Sequence, residues 1–506
     1  METINAALTG FRASRGTGFR ASRGRLAATV AAVVIIVALG LFVASQSISS
    51  CTNGQVEIEC PAPPLGPDGQ PVRDKFYFVH QPLPADGSLT VRVTSMTGIV
   101  TYPPPHHDVA EVPGLVPWAK AGVIAKEGTT QGSRYVALMA TAEHGVRMQH
   151  DYIHDTAGRS GAVTAEAPRW LRLTRSGDTL TGEESADGTA WSTVGTATLT
   201  GPVEIGLFVT SPNDVSVDGG VGGGTAAARL SKTTAMFDNV TLIGTAAGSG
   251  PGNWQRDDIG LGLNPDGQPH HPGSARQNGD EFTVSGNGDI GPLTGELGIG
   301  ILVALIGLPI GLIVMIVVTA RFATASGGVR SRGGLAAKAV VAGGVMFAAG
   351  TAAAALVVPL ALEVLRANGY RQPALAIVEV ARVSVGAGLL AAGAAVLAVG
   401  LAALLRRALV AAGVTVGLVV LPYLAAVFGG LPTVVADWLL RLTPAAAFAF
   451  QQVAPAYAHV EAHFAPIGGY YPLPGWAGLT VLAVWSAALL GLAANRLPRR
   501  APASVA

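Results

Sequence analysis

Six stretches of the chain are apolar, long, and free of charge in their centres: Leu26–Ala44, Gly298–Ala320, Ala339–Leu362, Val383–Leu405, Ala408–Phe428 and Trp476–Ala494. A helix rises about 1.5 Å per residue, so roughly 20 residues cross the ~30 Å hydrocarbon core of a bilayer. Each stretch is therefore predicted as a membrane helix, one standing alone at 26–45 and five gathered within 294–500. From residue 46 to 293 the pattern inverts. Charges return, Pro and Gly punctuate every few residues, and the apolar positions fall into short alternating runs. Phe76–Val79, Ser88–Val93, Arg134–Ala140, Gly145–Tyr152, Arg169–Thr174 and Val203–Val209 are predicted strands, with turns such as Ser176-Gly-Asp and Asp187-Gly between them. Strands at this spacing without an amphipathic helix predict an all-β sandwich over about 63–244. The Gly/Pro-rich segment 245–293 reads as a return to the membrane, with Gly273–Ile290 a stub too short to bury a core of its own.

Composition sharpens this picture. Hydrophobic residues make up 49% of the 506 and charged residues 13%, about half the usual share near 25%. Too few charges remain to solvate a globular surface of this length, which excludes a wholly soluble or disordered chain. A net charge of +1 excludes a global basic field for nucleic acid. The 28 Arg and 5 Lys are placed unevenly. Arg12, Arg15, Arg20, Arg23 and Arg25 precede the first apolar stretch, and the tail repeats GFRASRG at Gly10–Gly16 and Gly18–Gly24. Arg321, Arg330, Arg332 and Lys338, then Arg406-Arg407, then Arg496, Arg499 and Arg500 occupy alternate connections. That is a positive-inside pattern for six helices in the cell membrane, with tails 1–25 and 501–506 cytoplasmic and the sandwich extracellular. A signal peptide is the rival reading of the first stretch, but the run is long for one and Ser45-Gln-Ser is a poor cleavage site.

Candidate chemistry is sparse. Cys51 and Cys60 lie just outside the first helix, where a disulfide can persist; two idle thiols are the alternative. No Gly-rich loop ends in Gly-Lys-Ser/Thr, and Gly219–Gly224 lacks the lysine, so the chain has no ATPase site. A glucanase needs two carboxylates flanking the sugar bond. Glu183 and Glu184 are adjacent and would point to opposite faces of a strand, so the chain is not expected to be an enzyme. In His150-Asp-Tyr-Ile-His154-Asp, read as a strand, the two His share one face and Asp151 and Asp155 the other, a candidate sugar or metal contact. A polar strand edge is the competing reading. His106-His107 and His270-His271 sit in Pro-rich loops and carry less. Trp191 is a candidate sugar contact with Trp118 and Trp170, and a buried core position is the alternative for each. Val434, Val435, Trp438, Leu439 and Leu442 form one apolar stripe with Asp437 and Arg441 opposite, which predicts a helix at the outer interface or re-entering it. No ionisable residue falls in mid-membrane, so an ion-coupled carrier has no site and energy must come from a partner.

Several segments resemble the permease subunits of actinobacterial ABC transporters of the type-2, exporter-like class. They are the GFRASRGR opening, Leu335–Val341, Leu362–Gly369, Val420–Leu424, Asp437–Gln452 and the closing Trp476-Ala-Gly-Leu with its Arg-rich tail. Within the insert, Trp118–Ile124, Tyr135–Thr141, His144–Gln149, Arg169–Arg175 and Phe237–Leu242 are similar in order to a concanavalin A-like lectin/glucanase jelly roll. The resemblance implies an exporter subunit without cofactor or metal of its own, driven by a separate ATPase that binds ATP and Mg. It also implies a second permease copy or a homologous one, and makes cell-surface glycan a candidate partner of the sandwich. Relatives carry a longer connection between helices two and three, with an acidic residue leading a short helix that fits the ATPase. Here Arg321–Gly334 is shorter, lacks an acidic residue and contains four Gly, so docking is assigned to Arg12, Arg15, Arg20 and Arg23 together with Arg330 and Arg332.

Overall fold

A computed structural model of the chain describes residues 17–53, 56–58, 62–102, 111–220, 223–244, 253–263, 268–293, 296–325, 328–370, 375–462 and 464–498. The apolar stretches form helices: α1 (Thr17–Gln46), α2 (Glu296–Ala304), α3 (Leu308–Thr324), α4 (Arg332–Ala367), α5 (Ile377–Leu405), α6 (Ala408–Val419), α7 (Leu421–Phe428), α8 (Thr433–Leu442) and α9 (Gly475–Asn495), with a 3-10 helix at Pro444–Gln451. Five helical segments are long and apolar enough to cross a membrane, α6 and α7 together making one of them. The number rises to seven if two bent pairs each count as one span. These segments mark the chain as membrane-associated.

The bends have local causes. The second expected span is broken into α2 and α3, bent by 44°. Gly307 precedes Pro309 there, and a Cβ on Gly307 would lie 2.8 Å from the Ile36 carbonyl oxygen, so glycine lets the break press against α1. At the second bend, α8 turns by 105° into Pro444–Gln451. Thr443 ends α8 in an extended conformation, and its hydroxyl accepts from the Ala445 amide to start the next turn. Val434, Val435, Trp438 and Leu442 form the exposed face of α8, while Ala436 and Leu440 pack inward. The predicted apolar stripe is thus the face turned away from the bundle.

Hydrogen bonds fix which helix ends meet. Lys338 donates to the Ala323 carbonyl at 2.8 Å, joining the start of α4 to the end of α3. Arg332 donates to the Leu497 carbonyl at 3.2 Å, bringing the end of α9 to the same place. At the other end Asn368 donates to the Ala44 carbonyl at 3.1 Å, joining the ends of α4 and α1. The start of α4 and the ends of α3 and α9 therefore lie together at one end of the bundle, with Arg321, Arg330 and Arg332, and the ends of α1 and α4 lie together at the other, where the chain passes into the sandwich.

The sandwich has two antiparallel sheets. A seven-stranded sheet runs in the order His154–Ala157, Val146–His150, Tyr135–Thr141, Lys120–Lys126, Val203–Thr210, Phe76–Leu83, Gln255–Ile259. An eight-stranded sheet runs Ser192–Thr198, Thr179–Ser185, Arg169–Ser176, Asp86–Thr101, Ser231–Ile243, Glu281–Gly286, Ser274–Asn278, with Glu111–Pro113 paired to Asp86–Thr101. Alternate positions such as Leu171, Leu173, Val91, Val123 and Leu207 meet between the sheets. Arg169–Ser176 alternates buried and half-exposed, as a strand with one wet face should. Lys120–Lys126 and Tyr135–Thr141 are buried throughout, because short strands at Val72–Asp74 and Ile290–Pro292 lie over the outer face of their sheet and enclose a second core around Phe78, Ile124, Tyr135 and Phe208.

Two expectations change. The return segment is not a stub: Gln255–Ile259 extends one sheet, Ser274–Asn278 and Glu281–Gly286 extend the other, and Phe282 and Val284 enter the main core. The sandwich therefore runs past residue 244 to Pro292. Asp86–Thr101 is also a longer strand than Ser88–Val93 suggested, since its far half pairs with Ser231–Lys232 and Glu111–Pro113.

Candidate functional site

The strand Lys120–Lys126 carries a lysine at each end, six positions apart and hence on one face, the face covered by the short outer strands. Both side chains are fully buried. Lys120 Nζ lies 2.9 Å from Asp289 Oδ1 and donates to the Ile290 carbonyl. Lys126 Nζ lies 2.8 Å from Asp74 Oδ2, which also accepts from the Tyr152 hydroxyl and the Gly132 amide, each at 2.8 Å. One lysine thus holds the segment by which the chain enters the sandwich and the other the segment by which it leaves. The two segments pair with each other, Asp74 opposite Ile290 and Val72 opposite Pro292. Burial lowers the Lys126 ammonium from its ordinary range against the opposing pull of Asp74, and burial beside Asp74 raises the Tyr152 hydroxyl.

The segment His150–Asp155 is not a single strand. Asp151 and Tyr152 adopt left-handed backbone conformations, φ 50° and 71°, and turn the chain so that His154 pairs directly opposite His150. The two rings stack with centroids 4.3 Å apart and planes 18° from parallel. Stacked rings do not converge their nitrogens on one point, and the nearby carboxylates are taken elsewhere. Asp151 binds Arg134 at 2.8 Å, and Asp155 binds Arg147 and Gln149. Burial pushes both carboxyls up, but nearby His150 and the hydrogen bonds from Arg134 at one, and the hydrogen bonds from Arg147 and Gln149 at the other, outweigh it and hold both below the usual range. Among the described residues no group of three His, Cys, Asp or Glu side chains is placed to hold a metal. His271 bonds Asp258, while His106 and His107 lie outside the described residues.

The outer face of the eight-stranded sheet carries the tryptophans. Trp170 pairs across to Arg92, whose guanidinium lies 5.5 Å from the ring centre and is anchored on Asp238. Arg172 lies 4.1 Å from the Trp191 ring centre and binds Glu183 at 2.8 Å. Asp187 seats the Trp191 turn by accepting from the Thr189 and Ala190 amides, and those bonds hold its carboxyl well below the usual range. Both rings are half-buried. This is a row of planar groups ordered by ion pairs, facing outward. Trp118 differs: it is buried, stacked on His144 at 3.9 Å on the other sheet. Glu184 is buried and accepts from the Arg159 amide, so it shares no site with Glu183.

At the basic end of the bundle, Arg23, Arg321, Arg330, Arg406 and Arg407 are exposed. Arg332 is half-buried and spends its Nε on the Leu497 carbonyl, so it braces the bundle. Arg20 lies in the first turns of α1, and Arg12 and Arg15 lie outside the described residues. Between α3 and α4 no helix occurs among the described residues; Ser331 caps α4 by accepting from the Gly334 amide. Cys51 begins a short strand, but its side chain and Cys60 lie outside the described residues.

His80 was not singled out by the sequence. Its Nδ1 lies 2.8 Å from Glu204 and its Nε2 2.8 Å from Asp257, with its ring stacked on Phe78 at 4.3 Å. Burial lowers its pKa, but the bonds to the two carboxylates outweigh burial and the net direction is up from 6.5.

No protein-family model matches the chain, and no curated protein matches it. Among solved structures it is similar to scytalido-glutamic peptidase bound to a transition-state analogue inhibitor, at 8% identity and TM-score 0.28 over 42% of this chain and 98% of that one. A functionally unknown protein from Saccharomyces cerevisiae aligns at 13% identity and TM-score 0.22, over 40% and 98%. The GH43 protein BlXynB of Bacillus licheniformis aligns at 13% identity and TM-score 0.16, over 25% and 24%. At these scores the likenesses carry no argument about function.

Proposed function

We propose that the chain is the permease subunit of an ABC transporter of the type-2 class. It moves an unidentified substrate outward on ATP hydrolysed by a separate subunit, with a lectin-like sandwich outside the cell and both termini inside. The observation that carries this reading is the path of the chain through the bundle. The ends of α1 and α4 meet where the chain passes into the sandwich, and Arg321, Arg330 and Arg332 lie at the other end, where α3 and α9 meet the start of α4. Under the positive-inside rule the basic end faces the cytoplasm, where an ATPase would dock. Display of a sandwich needs one anchoring helix; the remaining helices need another reason to exist. The sandwich serves as a binding module on this reading, because Glu183 is engaged by Arg172 and Glu184 is buried apart from it.

A non-transporting membrane anchor is the second reading, favoured by the lack of a described helix between α3 and α4. Co-purification with the ATPase of the same transporter separates the two. The chain should retain that subunit, and should lose it at raised salt or when Arg12, Arg15, Arg20, Arg23 and Arg330 are changed to Ala. Failure of the wild-type chain to retain it would favour the anchor.

A further inference from the structure

The two outer faces of the sandwich are covered differently. That of the eight-stranded sheet is open, whereas that of the seven-stranded sheet receives part of the chain's own helical half. The loop from Gln451 to Gly475 sends three consecutive residues into it. His459 is 4% exposed, with its Nε2 3.0 Å from the Tyr152 carbonyl oxygen. Val460 is 5% exposed, and a Cβ on Gly291 would lie 3.2 Å from its Cγ1. Glu461 is half-buried, and burial raises its carboxyl.

The receiving surface is shaped for this contact. Tyr152 is a buried aromatic residue in a left-handed conformation, and its neighbour Asp151 is left-handed too, a pairing that non-glycine residues avoid unless something holds it. The holding group is its own hydroxyl, fixed on Asp74 and the Ser133 carbonyl. The side chain is thereby fastened inside the sandwich while its carbonyl meets His459. Gly291 lies in the strand paired with Val72–Asp74, so Val460 rests on the clasp through which the sandwich joins the bundle.

The base of the loop is equally fixed. Arg382, at the start of α5, donates to the Phe450 and Gln452 carbonyls at 3.2 and 2.8 Å. The Tyr471 amide donates to Gln452 Oε1 at 3.0 Å and its hydroxyl to Gln451 Oε1 at 3.3 Å. Only residues 453–458 separate this base from the inserted tip.

We propose that His459–Glu461 is a latch that seats the sandwich on the helical bundle and sets the position of the bent hairpin. The sandwich is then a seated lid in contact with the bundle through both the clasp and the latch, and unseating the latch frees the hairpin. The inference stands on contacts within the chain and holds whether or not the bundle transports anything, so its test needs no ATPase.

In the full-length chain, Gly291→Cys with Val460→Cys should form a disulfide on mild oxidation, identified by peptide mapping so that Cys51 and Cys60 do not confuse it. Separately, Val460→Asp and His459→Ala should each speed amide hydrogen exchange across residues 433–452 by about tenfold or more, with the strand Lys120–Lys126 unchanged. Absence of the cross-link overturns the seat. A cross-link that forms while both single variants leave the hairpin's exchange unaltered overturns the latch's hold on the hairpin.

Discussion

Lys120 and Lys126 show how a few charged side chains position a whole domain. Desolvating an ammonium and a carboxylate costs several kcal/mol each, and close pairing recovers that only while both partners remain. Replacing Lys126 by Met leaves Asp74 with the Tyr152 hydroxyl and the Gly132 amide but no cation. The expected loss is about 3–5 kcal/mol, read by chemical denaturation in detergent, and Lys126→Met combined with Asp74→Leu should recover most of it. His80 supplies a pH-dependent counterpart. Its folded pKa lies above 6.5, so the stability it adds is fully present below pH 6.5 and is lost as pH rises through the raised value. His80→Gln should flatten that alkaline decline; an unchanged profile would remove His80 as its source. These roles were barely legible in the sequence. The even spacing of two of only five lysines within an apolar strand was a signal, but Asp74 and Asp289 lie far from it along the chain. The His150–Asp155 segment misled for a related reason. Two left-handed residues that are not glycine replace a strand by a turn, and nothing local marks them.

At the level of elements, periodicity carried most of the fold. The apolar stretches became helices, one of them broken and others longer than the stretch, and Arg169–Ser176 alternates in burial with Leu171 and Leu173 inward, although Arg169 and Arg175 are buried beside them. Segments that alternate weakly were misjudged. Ser274–Asn278 and Glu281–Gly286 look like loop because they are short and turn-flanked, yet neighbouring strands supply the pairing that makes them sheet. The consequence is a domain boundary. A fragment of residues 62–293 should fold cooperatively, whereas 62–244 should not, because it loses the Phe282 and Val284 core contacts, one edge strand of the seven-stranded sheet and two strands of the eight-stranded sheet. Full burial of such side chains contributes about 1.5–3 kcal/mol each. A sharp thermal transition in the shorter fragment, at the same temperature as in the longer one, would contradict that boundary.

Over the whole molecule, a sandwich held by a clasp and a latch sits at one end of an alternating helical bundle, and exposed arginines sit at the other. The sequence shows basic clusters on alternate connections, and under the proposed topology these clusters share one end of the bundle. What it could not reveal was the seat itself, since His459 and Tyr152 are 307 residues apart and join two halves of different construction. On the proposed reading the bundle is an engine driven from its basic end by a separate ATPase. The measurement that tests this most directly is ATP hydrolysis by the proposed ATPase subunit in lipid vesicles, with and without the full-length chain. Turnover should rise severalfold when the chain is present and fall back when the exposed arginines at the basic end are neutralised. Hydrolysis indifferent to the chain, at low salt and with both proteins in the same bilayer, would contradict it.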